Sequence, residues 1–126
     1  MIKPNGLPKS ERLSSMTAVR TLFAEGASGF VFPLRYIFLS KKSTSPSIEV
    51  LFSVPKRYHK RANKRNLLRR RTKEAYRLNK GELTRIANDK GIELDIALIY
   101  STKDLLPYKN IENALRRILA DVASRC

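Results

Sequence analysis

Tryptophan is absent, cysteine and histidine occur once each, and acids are outnumbered more than two to one by bases. Each shortage removes a class of function. One cysteine, Cys126 at the last position, supplies neither a disulfide framework nor a thiolate metal cage. One histidine, His59, leaves a His-dependent nuclease without its partner base and a metal site without its ligand set. His59 reads as an ordinary loop residue, with phosphate contact as its second role. The acids are scattered, and no Gly-rich phosphate loop or nucleotide fingerprint is present. No catalytic side chain, protein-held metal or cofactor emerges. Long apolar runs are also missing. GFVFPL and YIFLS fall far short of a membrane span, and MIKPNGLPKSERL lacks the apolar core of a signal peptide. No wide apolar helix face accompanies the cations, so a membrane-surface role is not expected. A reducing, cytoplasmic setting fits these absences.

What is abundant is positive charge. Against 11 Asp and Glu stand 26 Lys and Arg, for a net charge of +15 and a pI near 10.5. Such a chain repels itself and attracts a polyanion, of which nucleic acid is the common one. Apolar residues still make up 42%, enough to bury a core, so the chain is not a disordered polycation. Its 126 residues suit one domain, 1–126, with 1–10 as a loose leader marked by Asn-Gly and two prolines.

Along the chain, Leu13, Met16, Val19, Leu22 and Phe23 recur at helical spacing, which predicts a helix over Glu11–Glu25 that Gly26 stops. FVFPLRYIFLS, Phe30–Ser40, predicts a strand broken at Pro33. After the polar turn KKSTSPS, Ile48–Val54 predicts a second strand, and the two are expected to pair as a hairpin. A basic helix follows to about Arg77, and Glu82–Asn88 either extends it or forms a separate turn after Gly81. Leu94–Tyr100, LDIALIY, is nearly all apolar and predicts a central strand buried on both faces. Asn110–Ala123 closes the domain as an amphipathic helix. The order describes a small α/β two-layer sandwich with mixed strands, in which the basic helix connects two strands of the sheet.

The segment KRANKRNLLRRRTKEAYR, Lys60–Arg77, carries the functional signal. On a helical wheel with Leu68 at zero, Thr72, Ala75, Tyr76 and Asn79 fall within roughly 80°, a narrow packing stripe. Asn66, Arg69, Arg70, Lys73 and Arg77 fall between roughly 100° and 200°, facing away from the core. Arg65 lies at the boundary, and Leu67 sits off the stripe. An idle solvated helix mixes signs, because like charges at i, i+4 repel by about 0.2–0.5 kcal/mol per pair. Here Arg65–Arg69, Arg69–Lys73 and Lys73–Arg77 are all like pairs, and Glu74, opposite Arg70 or Arg71, is the only nearby relief. Cations fixed along a rigid helix meet successive phosphates at low entropic cost, and Arg adds a planar fork for phosphate oxygens. Asn66 differs: its amide both donates and accepts, which suits a base edge, a 2′-hydroxyl or a hydrated metal ion. This pattern points to nucleic acid. A structural RNA-binding protein such as a ribosomal protein, and a DNA-binding regulator, share the composition, although no heptad zipper or helix-turn-helix pattern is present.

Arg65-Asn66-x-x-Arg69-Arg70-x-x-Lys73-Glu74-Ala75-Tyr76-Arg77 resembles the signature of the bacterial ribonuclease P protein subunit, Arg-Asn-x-x-Lys-Arg-x-x-Arg-Glu followed by an aromatic and Arg. Val54-Pro55-Lys56-Arg57 is similar to that family's Val-Ser-Lys-Lys. The resemblance covers about residues 11–122. The family's usual glycine before the basic helix has no counterpart in Tyr58–Lys64, and Val19 stands at the first aromatic position of the N-terminal helix, with Phe23 at the second. The resemblance implies an α+β fold, α-β-β-β-α-β-α, with a mixed four-stranded sheet and a left-handed β-α-β crossover, against the usual right-handed rule. It implies an endoribonuclease subunit that helps a catalytic RNA, with its Mg²⁺, remove the 5′ leader of precursor tRNA. By position it implies that Lys56, Arg57, Lys64, Arg65, Asn66, Arg69, Arg70, Lys73 and Arg77 contact the catalytic RNA. It implies that Val19, Phe23 and Tyr36 line a leader cleft between the N-terminal helix and the sheet. Core packing is the competing role for Phe23 and Tyr36.

Overall fold

The computed structural model describes Leu13 and residues 15–126. The expected leader at 1–10 lies outside the described residues. The elements are α1 (Met16–Glu25), β1 (Ala27–Val31), β2 (Leu34–Lys42), β3 (Ser47–Ser53), α2 (Ala62–Asn79), α3 (Gly81–Lys90), β4 (Ile92–Tyr100) and α4 (Tyr108–Arg125). They build one mixed sheet in the order β1-β2-β4-β3, with β3 parallel to β4 and the other pairs antiparallel.

Local chemistry sets the element ends. The Ser15 hydroxyl accepts from the Ala18 N–H, so α1 begins at Met16 rather than near Glu11. Leu13 lies before the helix and donates its N–H to the Val50 carbonyl at 2.9 Å. The apolar run Phe30–Ser40 is two strands, because the chain reverses at Phe32–Pro33, a cis peptide, and β1 pairs back on β2. The hairpin expected between Phe30–Ser40 and Ile48–Val54 does not form. β4 inserts between β2 and β3, pairing Leu34–Lys42 on one edge and Ser47–Ser53 on the other. The reason is burial: β4 is apolar on both faces and belongs at the centre, whereas β3 can stand at an edge. Gly81 opens a separate helix, α3, which closes at Gly91 in the left-handed conformation (φ 63°) that glycine adopts without steric cost. The path β3–α2–α3–β4 is thus a crossover between adjacent parallel strands, and the basic helix connects them as expected.

The sheet has helices on both faces. On one, α2, α3 and α4 cover Tyr36, Phe38, Ile48, Val50, Phe52, Leu94, Ile96 and Leu98. On the other, α1 packs Leu22, with Ala18 and Val19, over Ala97, Ile37, Leu39 and Leu51. Strand alternation sorts the residues: even positions of β2 face the three helices and odd positions face α1. Each fully buried Leu or Ile contributes roughly 1.5–3 kcal/mol, so the larger core carries the fold and the α1 contact is its weaker annex.

Beside α1, Glu49 and Asp95 are register partners across β3 and β4. Burial pushes both carboxyl groups up. Glu49 is raised further by Asp95 and Glu93; at Asp95 the nearby Lys41 opposes and Glu93 reinforces the shift. A raised carboxyl holds its proton more tightly in the folded chain. Stability is therefore full below the ordinary carboxylate range and falls as pH rises through it toward the raised values. Asp95→Asn should raise the Tm at pH 7 and lose that gain below about pH 4. Thermal melts at both pH values check it, and an equal gain at both would place the cause elsewhere.

Candidate nucleic-acid interface

The basic helix is anchored by the predicted stripe. Leu68, Thr72, Ala75 and Tyr76 are the buried residues of α2, and Asn79 joins them by donating to the Ala75 carbonyl and to Glu112 of α4. Tyr76 is fully buried and packs edge-on against Phe52, ring centroids 5.8 Å apart. Leu67, off the stripe, is half-buried.

The start of α2 has no side-chain cap and no acid in its first turn. Arg65 does not supply that missing acceptor; it ties the loop ahead of the helix to the helix itself. Its Nη1 donates to the carbonyls of His59 (3.0 Å) and Lys60 (2.7 Å). His59 is buried, and its Nε2 lies 2.8 Å from the Thr102 carbonyl oxygen, to which it donates. The lone histidine is a loop residue, as its sequence context indicates, but one that ties the β3–α2 loop to the β4–α4 loop. Arg71 makes a second tie, from Nη1 to the Leu106 carbonyl at 2.6 Å. Lys56 and Arg57, in the turn after β3, are exposed, and the Arg57 guanidinium lies 5.0 Å from the Tyr58 ring. The helix start is thus surrounded by Lys56, Arg57, Lys60, Arg61 and Lys64, the wrong sign for its own dipole. An arriving phosphate reverses that penalty.

Along the outer face, Asn66 and Arg70 are exposed, and Lys64, Arg65, Arg69, Lys73 and Arg77 are half-covered. Glu74 pairs with Arg77 one turn on, and not with Arg70 or Arg71. Spacing explains the choice: i, i+3 toward the C-terminus brings the Arg77 fork onto both carboxylate oxygens, while Arg71 is drawn to the Leu106 carbonyl. The hydrogen bond from Arg77 holds the Glu74 carboxyl below its usual range. Asn66 Oδ1 accepts from Arg69 Nη1 at 3.2 Å, leaving its amide NH₂ outward as a donor among cations. Lys73 Nζ lies 5.9 Å from the Phe52 ring.

A second surface lies where the sheet emerges from under α1. Register places Phe30, Arg35, Ile99 and Ser53 in one row across β1, β2, β4 and β3 on the α1 side. Phe30 and Arg35 are exposed, Ile99 and Ser53 half-buried, and β3 continues from Ser53 toward Lys56 and Arg57. Phe23 on α1 is 47% exposed, while Val19 is half-buried in the α1 cluster. Tyr36 does not belong here. It is 5% exposed on the opposite face, under α4, where its hydroxyl donates to Asp121 Oδ2. Its register partner is Gly29, whose missing side chain leaves room for the Tyr36 ring. Burial and the Asp121 carboxylate raise the Tyr36 hydroxyl, and the same hydrogen bond lowers Asp121. Tyr36 is therefore core, and its neighbours of opposite parity lie on the α1 side. The row Phe30–Arg35–Ile99–Ser53 is not apparent in the linear sequence. Its one signal there is Arg35, a lone cation inside an apolar strand.

Among the described residues, no group of three or more His, Cys, Asp or Glu side chains is arranged to hold a metal ion. No described helix is long and apolar enough to cross a membrane.

Comparison with known proteins gives a single answer. The family model described as Ribonuclease P matches residues 7–123. The chain is 35% identical over 119 residues to a ribonuclease P protein component of Porphyromonas gingivalis, covering 94% of this chain and 87% of the relative. It is 33% identical to that of Chlorobaculum tepidum, covering 97% and 86%. Among solved structures, the ribonuclease P proteins of Staphylococcus aureus (TM-score 0.71, 17% identity, 90% of this chain and 96% of that one) and Thermotoga maritima (TM-score 0.69, 24% identity, 88% and 96%) share the fold.

Proposed function

The chain belongs to the ribonuclease P protein family, and from that premise we propose that its two surfaces divide the RNA between them: the outer face of α2 grips the RNA subunit, and the strip beside α1 receives the 5′ leader of precursor tRNA. Family membership makes the chain the protein component of an endoribonuclease in tRNA processing, with ribonuclease P RNA as its partner. A ribosomal or DNA-regulatory role gives way to that membership.

The observation that carries the division is the cation row along α2, a helix docked by a buried stripe on one side and turned to solvent on the other. Phosphates of the RNA subunit lie along Lys56, Arg57, Lys64, Arg69, Arg70, Lys73 and Arg77. Arg65 contributes through its loop contacts as well as its charge. Asn66 donates to a base edge or a 2′-hydroxyl. The leader, single-stranded, stacks on Phe23 and Phe30, with Arg35 on its phosphates and Val19 as an apolar flank. The protein positions and neutralises; bond cleavage belongs to the RNA subunit, whose Mg²⁺ supplies the Lewis-acid chemistry. We place the assembly in the cytoplasm.

Reconstitution with a bacterial ribonuclease P RNA tests the reading. At low Mg²⁺ the protein should raise the rate of 5′ cleavage of precursor tRNA, and a folded protein that gives no enhancement would sink it. Phe23→Ala should weaken binding of precursors with a leader by roughly tenfold relative to leaderless tRNA, at about 1–3 kcal/mol per stacked base, while leaving assembly with the RNA subunit intact. Equal losses for both substrates would argue against a separate leader surface.

A further inference from the structure

Beyond Phe30, which belongs to the leader strip, the tip of the β1–β2 hairpin carries Phe32, which neither of these surfaces uses. Phe32 is 54% exposed and Phe30 52%, and their rings meet edge-on, centroids 6.4 Å apart. Beside Phe32 a cavity of about 400 Å³ opens between the hairpin and α4, lined by Val31, Phe32, Asn110, Asn113, Ala114 and Arg117. Val31 pairs with Leu34, whose side chain is in the larger core, so the cavity opens on the face of the three helices, opposite α1.

The lining is chemically selective. Asn110, Asn113 and Arg117 follow one another at steps of three and four residues, so they form one stripe of α4. None of these three side chains has a hydrogen-bond or ion-pair partner among the described residues. The hairpin tip is held in place: the Ser101 N–H donates to the Pro33 carbonyl at 2.9 Å. The residue of α4 next to Arg117, Arg116, ties this helix to the C-terminal end of α2 by donating from Nε to Asn79 Oδ1 at 3.1 Å.

An aromatic ring, two amides and a guanidinium around an open cavity match the parts of a nucleotide. The ring stacks on a base, the amides meet donor and acceptor atoms of its edge, and the guanidinium takes a phosphate. We propose that this cavity receives one unpaired nucleotide of the ribonuclease P RNA. The choice of the RNA subunit over the leader rests on α2 being the face that grips that subunit. The cavity shares the helical face with α2, whereas the leader strip lies across the sheet. Charge agrees, with Lys109, Arg116 and Arg117 all exposed on α4.

The test uses the full-length protein, the RNA subunit as transcript, and precursor tRNA with and without a leader. Phe32→Ala and Arg117→Ala should each weaken binding to the RNA subunit by about tenfold, the size of one stacked base or one charge-assisted contact. Phe32→Tyr, which keeps the stacking face, should restore affinity, and the leader dependence should not change. In chemical probing, at least one unpaired nucleotide shielded by the parent protein should become reactive with Phe32→Ala. RNA affinity within twofold of the parent for both alanine variants, with unaltered protections, would overturn the proposal. So would a loss confined to precursors that carry a leader. Arg70→Ala in the same assay separates the two surfaces. If Arg70→Ala weakens binding and Phe32→Ala does not, only the cavity proposal falls; if neither does, the assignment of α2 to the RNA subunit falls with it.

Discussion

Replacing Arg57, Arg69 and Arg70 together by alanine should flatten the salt dependence of ribonuclease P RNA binding by roughly two to three units, at about 0.7–0.9 for each phosphate the protein no longer neutralises. Between about 50 and 200 mM salt the parent protein should then lose some 20- to 40-fold more affinity than the variant. The fold should not suffer. Arg57 and Arg70 are exposed, and Arg69 holds only the Asn66 amide. Removing Arg69 also relieves its repulsion with Arg65 and Lys73, worth about 0.2–0.5 kcal/mol per pair, so the variant should melt at or slightly above the parent temperature. This combination is diagnostic. A surface kept for stability would lose Tm; a surface kept for phosphate loses salt dependence and leaves Tm intact. Titrations at several salt concentrations, with a melt of each protein, read both quantities. An unchanged slope would show that the outer face of α2 does not touch phosphate.

Tyr76→Ala should cost about 3–5 kcal/mol, the usual range for deleting a large buried aromatic side chain. Tyr76 is fully buried between α2 and the sheet, edge-on to Phe52, and no exposed surface softens the cavity left behind. Domains of this size are stable by about 5–15 kcal/mol, so the variant should be close to unfolding. Its RNA affinity should fall for a different reason from that of the arginine variant. The cations remain, but the helix that aligns them is no longer docked. Saturating RNA subunit should recover part of the lost stability by binding only the folded form. Tyr76→Phe, which keeps the ring, should cost far less. Denaturant melts with and without RNA check both statements, and a Tyr76→Ala protein as stable as the parent would contradict the packing of α2 on Phe52.

Much of the site is legible in the linear chain, and the reason is local. The α2 stripe of Leu68, Thr72, Ala75 and Tyr76 follows from helix geometry alone, which depends on neighbours within one turn or two. The outward cation row follows from the same arithmetic. Glu74 is legible as a partner of the basic face but not as the partner of Arg77, because Arg71 is diverted to a carbonyl 35 residues away. The surface proposed for the leader is harder. Tyr36 and Ile37 are adjacent in sequence and lie on opposite faces of the sheet, and only the position of α1 says which face is the cleft.

Composition, periodicity and a motif within one helix were enough to define a basic RNA binder, its basic helix, its central apolar strand and its family. Three other features required the folded chain: β4 separates β2 from β3, Tyr36 is core beneath α4 while Phe30 and Arg35 face the α1 side, and Phe32 meets Arg117 across a cavity. Each is a relation between segments distant in the chain. Strand order, sheet face and the meeting of hairpin with helix arise from burying apolar faces against one another. That global requirement is satisfied only when every element has found its place.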